Sequence, residues 1–283
     1  MVTANAEMAR YWNEEGGTSW VAEQARFDAQ LAPFGEVVLR SAAPQPGERV
    51  VDVGCGNGAL TIEVAKAVAP DGSVLGVDVS EPMTAQGRLR AEEASAPATF
   101  LVADAQTTDL TAEGPFDVLV SRFGVMFFDD PVAAFTNLHG AMGPEGRLAF
   151  ACWQGFFENH WMSVPMVAAL EHVPAPPMLD PDAPGPWAFA DPGHVREVLE
   201  GGGFTDVQID PFAGDLSLAG GGDAASVLGF LRVTSLGRLL LEQDDPALGE
   251  RVETAVLVAL AEHEDDGDVR LGFSSWVVTA RAS

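Results

Sequence analysis

The run VVDVGCGNGAL, from Val50 to Leu60, is the stretch that most restricts what this chain can fold into. A β-branched segment turns abruptly into glycines at positions 54, 56 and 58, and Leu60, Val64, Ala67 and Val68 then recur as one helical stripe. A strand that feeds a helix through glycines leaves the first amides of that helix unpaired, with no Cβ to hold a ligand off the backbone. The loop is therefore a candidate ligand cradle. Pro70-Asp71-Gly72 ends the helix behind it with turn chemistry.

From Glu48 onward, short β-rich runs alternate with helical patterns, which predicts an α/β fold whose mostly parallel sheet is covered on both faces. The strands read as Arg49 to Val53, Ser73 to Asp78, Ala98 to Ala103, Phe116 to Ser121, Gly146 to Cys152, Thr205 to Asp210 and Val269 to Ala280. Asp129 or Asp130 can cap a helix with Pro131 in its first turn and Val132, Phe135, Leu138 and Met142 on its buried face. Asp191-Pro192 repeats that start signal, and Gly201-Gly202-Gly203 closes the helix it opens.

Three segments fall outside the alternation. Residues 1–46 predict an N-terminal helical cap of two helices carrying Tyr11, Trp12 and Trp20, ahead of a domain spanning 47–283. Within that domain, 154–190 is rich in aromatic residues, and Pro174, Pro176, Pro177, Pro181, Pro184 and Pro186 exclude a long helix across it. Residues 214–268 hold the apolar run Val227 to Leu241 and a helix with the stripe Leu248, Val252, Ala255, Val256 and Ala259. Ligands of open α/β sheets bind beyond the carboxyl ends of the strands. Both insertions follow such an end, so both are expected to fold over the site as a lid. The competing use of Val227 to Leu241 is an interface between two copies of the chain, a homodimer.

Charge narrows the partners. Forty-two acidic residues against fifteen basic ones give a formal charge of −27, with Lys66 the only lysine. Such a surface repels phosphate backbones and anionic membranes, so neither nucleic acid nor membrane is expected. No apolar stretch reaches membrane-spanning length, no secretory start is visible, and Cys55 and Cys152 suit a reducing compartment, so the expected location is cytoplasmic. No Asp, Glu, His or Cys cluster has metal-ligand spacing, so no metal is expected.

Two cofactor classes compete for the loop. Gly54, Gly56 and Ala59 match the relaxed fingerprint with which nicotinamide enzymes grip a pyrophosphate, which leaves an NAD(P)-dependent oxidoreductase as one reading. Asp52, two residues before Gly54, argues the other way. A carboxylate there repels a pyrophosphate and attracts an ammonium or sulfonium, unless loop amides alone satisfy it. Asp78 ends the second strand, where a carboxylate accepts hydrogen bonds from ribose hydroxyls in either cofactor class. Asp104, with the amide of Ala105, ends the third strand and can meet an adenine edge or simply cap the next turn.

VVDVGCGNGAL, VLGVDVSEPM, FLVADA and FDVLVSRFGVMFF together resemble the successive motifs of class I S-adenosylmethionine-dependent methyltransferases, nearest to the small-molecule group that includes quinone-biosynthesis enzymes. The motifs cover roughly residues 47–153. The resemblance implies a Rossmann-like, doubly wound seven-stranded sheet with its last strand antiparallel, and S-adenosyl-L-methionine as cofactor. It implies that Asp52, Gly54, Gly56 and Gly58 hold the methionine part, that Asp78 binds the ribose, and that Met83 packs on the adenine, a position otherwise read as core filler. It further implies Asp104 with Ala105 at the adenine amine, and Ser121, Arg122 and Phe123 near the methionine moiety and the reactive methyl.

The expected activity is methyl transfer to a partly apolar small molecule of secondary metabolism, by in-line displacement in a lidded site. A protein of this fold that binds the cofactor without methylating is the remaining alternative. Aromatic faces favour a sulfonium, and Tyr11, Trp12 and Phe123 are the candidates. Tyr11, the sole tyrosine, can also orient an acceptor through its hydroxyl, or merely pack an amphipathic helix on the core. Among the histidines, His160 follows a strand end most closely and is the candidate base or substrate contact.

Overall fold

The computed structural model describes residues 4–175 and 183–282. Its strands are β1 (Arg49–Val53), β2 (Ser73–Asp78), β3 (Ala98–Val102), β4 (Phe116–Arg122), β5 (Met142–Trp153), β6 (Thr205–Ser217), a two-residue β7 (Glu264–Asp265) and β8 (Asp268–Ala282). They form the order β3-β2-β1-β4-β5-β8-β6, with β7 paired to β8 off that path. The first five strands run parallel, while β8 is antiparallel to both β5 and β6. This is the expected doubly wound sheet with an antiparallel last strand. Val50, Val51 and Val53 are all buried, because helices cover both faces of β1. Strand order reverses at β1, so the crevice at the carboxyl ends of β1 and β4 is where a ligand belongs.

The helices are α1 (Ala6–Asn13), α2 (Glu15–Ala22), α3 (Gln24–Ala42), α4 (Ala59–Val68), α5 (Glu81–Glu93), α6 (Pro131–Gly140), α7 (His160–Leu170), α8 (Pro192–Gly201), α9 (Ala224–Leu231), α10 (Ser235–Leu241) and α11 (Pro246–Ala261). Phe34 of α3 packs against Trp153 while Phe135 of α6 packs against Phe150, so α3 and α6 cover opposite faces of β5. Asp130 and Asp191 cap α6 and α8 through Ala133 and Gly193 amides, as their Asp-Pro starts require.

Several expectations are corrected. The N-terminal segment forms three helices, not two. Val132 is 40% exposed, because α6 turns Ala134, Phe135 and Leu138 inward, and Met142 opens β5. β6 runs on to Ser217, past Pro211 and Gly214, so residues 214–217 belong to the sheet. β6 is an edge strand, where a proline costs no ladder bond on its free side. The buried stripe of α11 is Val252, Val256 and Leu260. Pro176, Pro177 and Pro181 lie outside the described residues, and α7 ends at Leu170, before the proline cluster. Among the described residues, no helix is long and apolar enough to cross a membrane.

Arg147 of β5 ties the cap to the sheet. Its guanidinium donates to both Glu48 carboxylate oxygens at 2.8 Å and to the carbonyls of Ala42 and Ala43 at the end of α3. The hydrogen bond from Arg147 holds the Glu48 carboxyl below its ordinary value of 4.5. A depressed carboxylate pKa stabilises the fold above the unfolded value and loses that contribution as pH falls through the folded one. Glu48→Gln is therefore expected to be less stable than the parent at neutral pH and to converge on it as pH falls below about 4.5 in urea titrations. Parallel curves would remove this ion pair from the account.

Candidate active site

The glycine loop is shaped by backbone crowding. Gly54, Gly56 and Gly58 have φ of 68°, 52° and 77°, a region that β-carbons disfavour. A Cβ on Gly54 would stand 2.5 Å from Cα of Gly124, in the loop after β4, so the two strand ends meet backbone to backbone. Ser121 fastens them: its Oγ donates to the carbonyl of Val53 at 2.7 Å and accepts from the amide of Gly124 at 3.1 Å.

Above this junction lies a cavity of about 470 Å³. Residues from the N-terminal helices, from 154–190 and from α9 and α10 line it together with the strand ends. Its walls are mainly aromatic and aliphatic, with Trp12, Trp20, Phe123, Trp153, Trp161 and Phe230 among them.

Among the described residues, four carboxylates line the cavity, and each has its own donors. Asp52, 1% exposed, accepts from the Thr61 hydroxyl at 2.6 Å. Burial, opposed by that hydrogen bond and by the nearby Arg122, raises its pKa to about 6. Asp78 accepts from the Gly56 amide at 2.8 Å and the Ser80 amide at 2.9 Å, yet burial still raises its pKa. Asp104 accepts from the Gln106 amide and Asn5 Nδ2, both at 2.9 Å, and from the Thr107 hydroxyl at 3.2 Å. It thus caps the following turn while still facing the cavity. Asp28 pairs with Arg90 at 2.6 Å, and Arg90 in turn donates to the Asn57 carbonyl of the glycine loop.

Most of the residues expected at a site converge here. Asp52, Gly54, Gly56, Asp78, Met83, Asp104, Ala105, Arg122, Phe123 and Tyr11 all line the cavity. Met83 is 4% exposed and approaches Gly56, where an added Cβ would stand 2.9 Å from its terminal carbon. Phe123, held at φ 64°, stacks on Trp153 with centroids 4.0 Å apart. Gly58 and Ser121 stand behind the wall, Gly58 starting α4 against Phe100 and Ser121 pinning the loop.

His160 is a correction. It opens α7 with an exposed side chain against Gly272 of β8, because that helix turns Ser163, Pro165, Met166 and Ala169 inward. Its neighbours Trp161 and Met162 reach the cavity in its place.

Sequence reasoning missed Asn5, Asn57 and Thr61. Asn5, left-handed at φ 54°, donates to Asp104 and Gln106 and accepts from the Asp129 amide at 2.7 Å, seating α1 on the ends of β3 and β4. A buried asparagine so near the chain start carries no local signal. Asn57 and Thr61 do: both lie in or just behind the glycine motif. Asn57 donates to the Trp20 carbonyl at 2.9 Å and leaves its buried Oδ1 without a partner. A buried acceptor in a cavity wall calls for a donor from a ligand.

A left-handed glycine loop, a carboxylate beside it and one at the end of each of the next two strands define a nucleoside-type site at the strand ends of an α/β domain. Residues 50–146 match the family model described as a methyltransferase domain. The chain is 32% identical over 121 residues to aklanonic acid methyltransferase of Streptomyces sp. strain C5, covering 42% of this chain and 54% of that one. It is 29% identical over 188 residues to nocamycin O-methyltransferase of Saccharothrix syringae, covering 62% and 66%. The chain thus spans between half and two thirds of the length of these curated relatives. The solved magnesium protoporphyrin IX methyltransferase of Synechocystis PCC 6803 shares the fold at a TM-score of 0.58 and 17% identity, covering 98% of this chain and 99% of that one.

Asp52 yields a prediction with a defined sign. Its carboxyl is protonated below about pH 6 in the free site, whereas a ligand ammonium favours the carboxylate. Binding of S-adenosylhomocysteine should therefore release a proton near that pH, and its affinity should fall severalfold from about pH 7 to pH 5. Asp52→Asn should flatten that dependence in calorimetry. A wild-type profile that is already flat would separate Asp52 from the ligand's charged end.

Proposed function

We propose that this chain is an S-adenosylmethionine-dependent methyltransferase acting on a partly apolar small molecule of secondary metabolism. The observation that carries the reading is the convergence of the glycine loop, Asp52, Asp78, Met83 and Asp104 in one cavity at the strand-order switch. Two features fit an adenosyl amino acid there: the partnerless Oδ1 of Asn57 and carboxylates at successive strand ends. The alternative nicotinamide reading meets Asp52, whose buried carboxylate would face a pyrophosphate with one hydroxyl donor to offset it.

When bound, S-adenosylmethionine supplies an electrophilic methyl group on a sulfonium. The residues of the chain bind, orient and exclude water. Asp52 and Asn57 take the ammonium end, and Asp78 accepts from the ribose hydroxyls through the lone pairs its amide donors leave free. Met83 packs on the adenine, with Asp104 and the Ala105 amide at its edge. Arg122 and Phe123 border the methyl, and Tyr11 and Trp12 present aromatic surface to the positive charge. The cap of residues 1–46 and the two insertions act as the lid, a reading supported by the cavity wall they share. Arg238 of α10 supports it further by donating to the Ser19 hydroxyl of α2 at 3.3 Å.

Asp78→Ala removes charge-assisted hydrogen bonds worth about 1.5 to 3 kcal/mol, so S-adenosylhomocysteine should bind at least about tenfold more weakly by calorimetry. Unchanged binding would count against the ribose assignment. Methylation itself is tested with methyl-labelled S-adenosylmethionine and a panel of apolar acceptors. Label retained on the cofactor throughout, with binding intact, would favour a non-methylating protein of this fold.

A further inference from the structure

We propose that the acceptor is a neutral, largely apolar molecule carrying a carbonyl oxygen, and that Gln30 Nε2 and Trp153 Nε1 donate to that oxygen and so orient the molecule in the cavity. The inference rests on the methyl-transfer reading above and names the substrate class of that same site.

Gln30 of α3 and Trp153 at the end of β5 both line the cavity, and each is only 5% exposed. The Ala219 backbone amide donates to Gln30 Oε1 at 2.8 Å, which fixes which way round the side-chain amide sits. Nε2 is left with two hydrogens. Among the described residues, neither these nor the Trp153 indole N–H meets an acceptor. Buried amides and indoles are paired as a rule, because an orphaned donor has given up its water for nothing. The partnerless side-chain atoms sealed from all accessible surface are, among the described residues, Asn57 Oδ1 and His139 Nε2. The two nitrogens are not of that kind, so the little surface that Gln30 and Trp153 keep includes them, and it opens on the cavity that both residues line.

The fold places these donors away from the cofactor's adenosine end. Asp78 and Asp104 follow β2 and β3 on one side of β1, whereas Trp153 ends β5 on the other. Phe34, one helical turn beyond Gln30 on α3, packs edge-on against Trp153 with centroids 4.8 Å apart, so that face of α3 meets the indole. Trp153 in turn stacks on Phe123. Other donors in this part of the wall are taken within the protein. Trp161 Nε1 donates to Asn159 Oδ1 at 3.1 Å, the Thr234 hydroxyl to the Leu231 carbonyl at 2.7 Å, and Arg238 to Ser19 and the Val233 carbonyl. Trp12 and Trp20, in the roof, are only half-buried and share surface with solvent.

Two neutral donors among rings define what they hold. Among the described residues, the wall carries four carboxylates against two guanidiniums, with Arg122 facing Asp28 and Asp52, and Arg238 reaching Glu15 at 3.8 Å. That balance disfavours an anion, and neutral N–H groups do not compensate a charge in apolar surroundings. A hydroxyl oxygen also accepts, but it adds a donor where two already stand unpaired. A carbonyl oxygen has two lone pairs and no proton, so it can take both donors at once. A few convergent polar groups in an otherwise apolar pocket are what fix a ligand's orientation.

The test uses the full chain loaded with S-adenosylhomocysteine and three probes on one bicyclic frame: tetralone, tetralin and tetralin carboxylate. By calorimetry, tetralone is expected to bind at least about tenfold more tightly than either of the others. With an isotope-labelled carbonyl, its infrared stretch on the protein is expected below the frequency it has in alkane. Trp153→Phe keeps a ring against Phe123 and removes the N–H, while Gln30→Glu keeps an oxygen for the Ala219 amide and, in alkaline buffer, removes the donor. Each variant that still binds S-adenosylhomocysteine should lose at least about threefold of the preference for tetralone, and part of the frequency shift with it. Tetralone binding no more tightly than tetralin, or not at all, would overturn the proposal, as would tighter binding of the carboxylate or a preference that survives both substitutions. So would a carbonyl frequency on the wild-type protein equal to that in alkane, a result that holds even where a variant fails to fold. Failure of S-adenosylhomocysteine itself to bind would instead bring down the cofactor reading beneath it.

Discussion

The cavity depends on two strand ends that touch through backbone alone. Gly54 after β1 and Gly124 after β4 stand so close that a Cβ on either would fall within about 2.6 Å of the other's Cα, inside any tolerable contact. That approach turns the Gly54 to Gly58 loop over the strand ends, where the Gly54 and Cys55 amides donate to the Val77 carbonyl and the Gly56 amide to Asp78. Ser121 locks the junction from below, and Thr61 holds Asp52 beneath the loop. Two small hydroxylic residues, both fully buried, thereby set the positions of groups that they do not themselves present to a ligand.

Carboxylates kept in such a place are costly unless something compensates them. Asp52 and Asp78 are both pushed up by burial, and a chain of net charge −27 adds no general relief. Local donors meet part of the cost, and under the proposed function an adenosyl amino acid, with its ammonium and ribose hydroxyls, meets the rest. The three segments outside the α/β alternation complete the enclosure. Trp12, Trp20 and Phe27 of the cap and Phe230 of α9 form a chain of ring contacts across the cavity roof, with Trp20 and Phe27 stacked at 4.1 Å. Val227 to Leu241, an apolar run suited to a dimer interface, buries Val227, Leu228, Phe230, Leu231, Leu240 and Leu241 within this one chain.

Local patterns carried much of this. β1 and β2 have the bounds that their apolar runs indicate, because a strand buried on both faces has to be continuously apolar and ends where turn residues begin. The residues at the loop and strand ends, Asp52, Gly54, Gly56, Asp78 and Asp104, were legible for the same reason: each sits at a fixed offset from an element that local pattern defines. His160 was misplaced because proximity to a strand end says nothing about which way a helix then turns. Asn5, some hundred residues away from Asp104 along the chain, had no pattern to betray it.

The sequence by itself determined the α/β alternation, the glycine loop and its acidic neighbours, since these follow from side-chain periodicity and from backbone freedom that only glycine has. Tertiary structure alone decided which side chains share the cavity. It seated Asn5 on Asp104, turned His160 to solvent, brought Trp161 and Met162 to the wall, and left Asn57 Oδ1 without a partner. Those outcomes depend on how separate elements pack across the strand ends, and packing between distant segments leaves no periodic trace in either one.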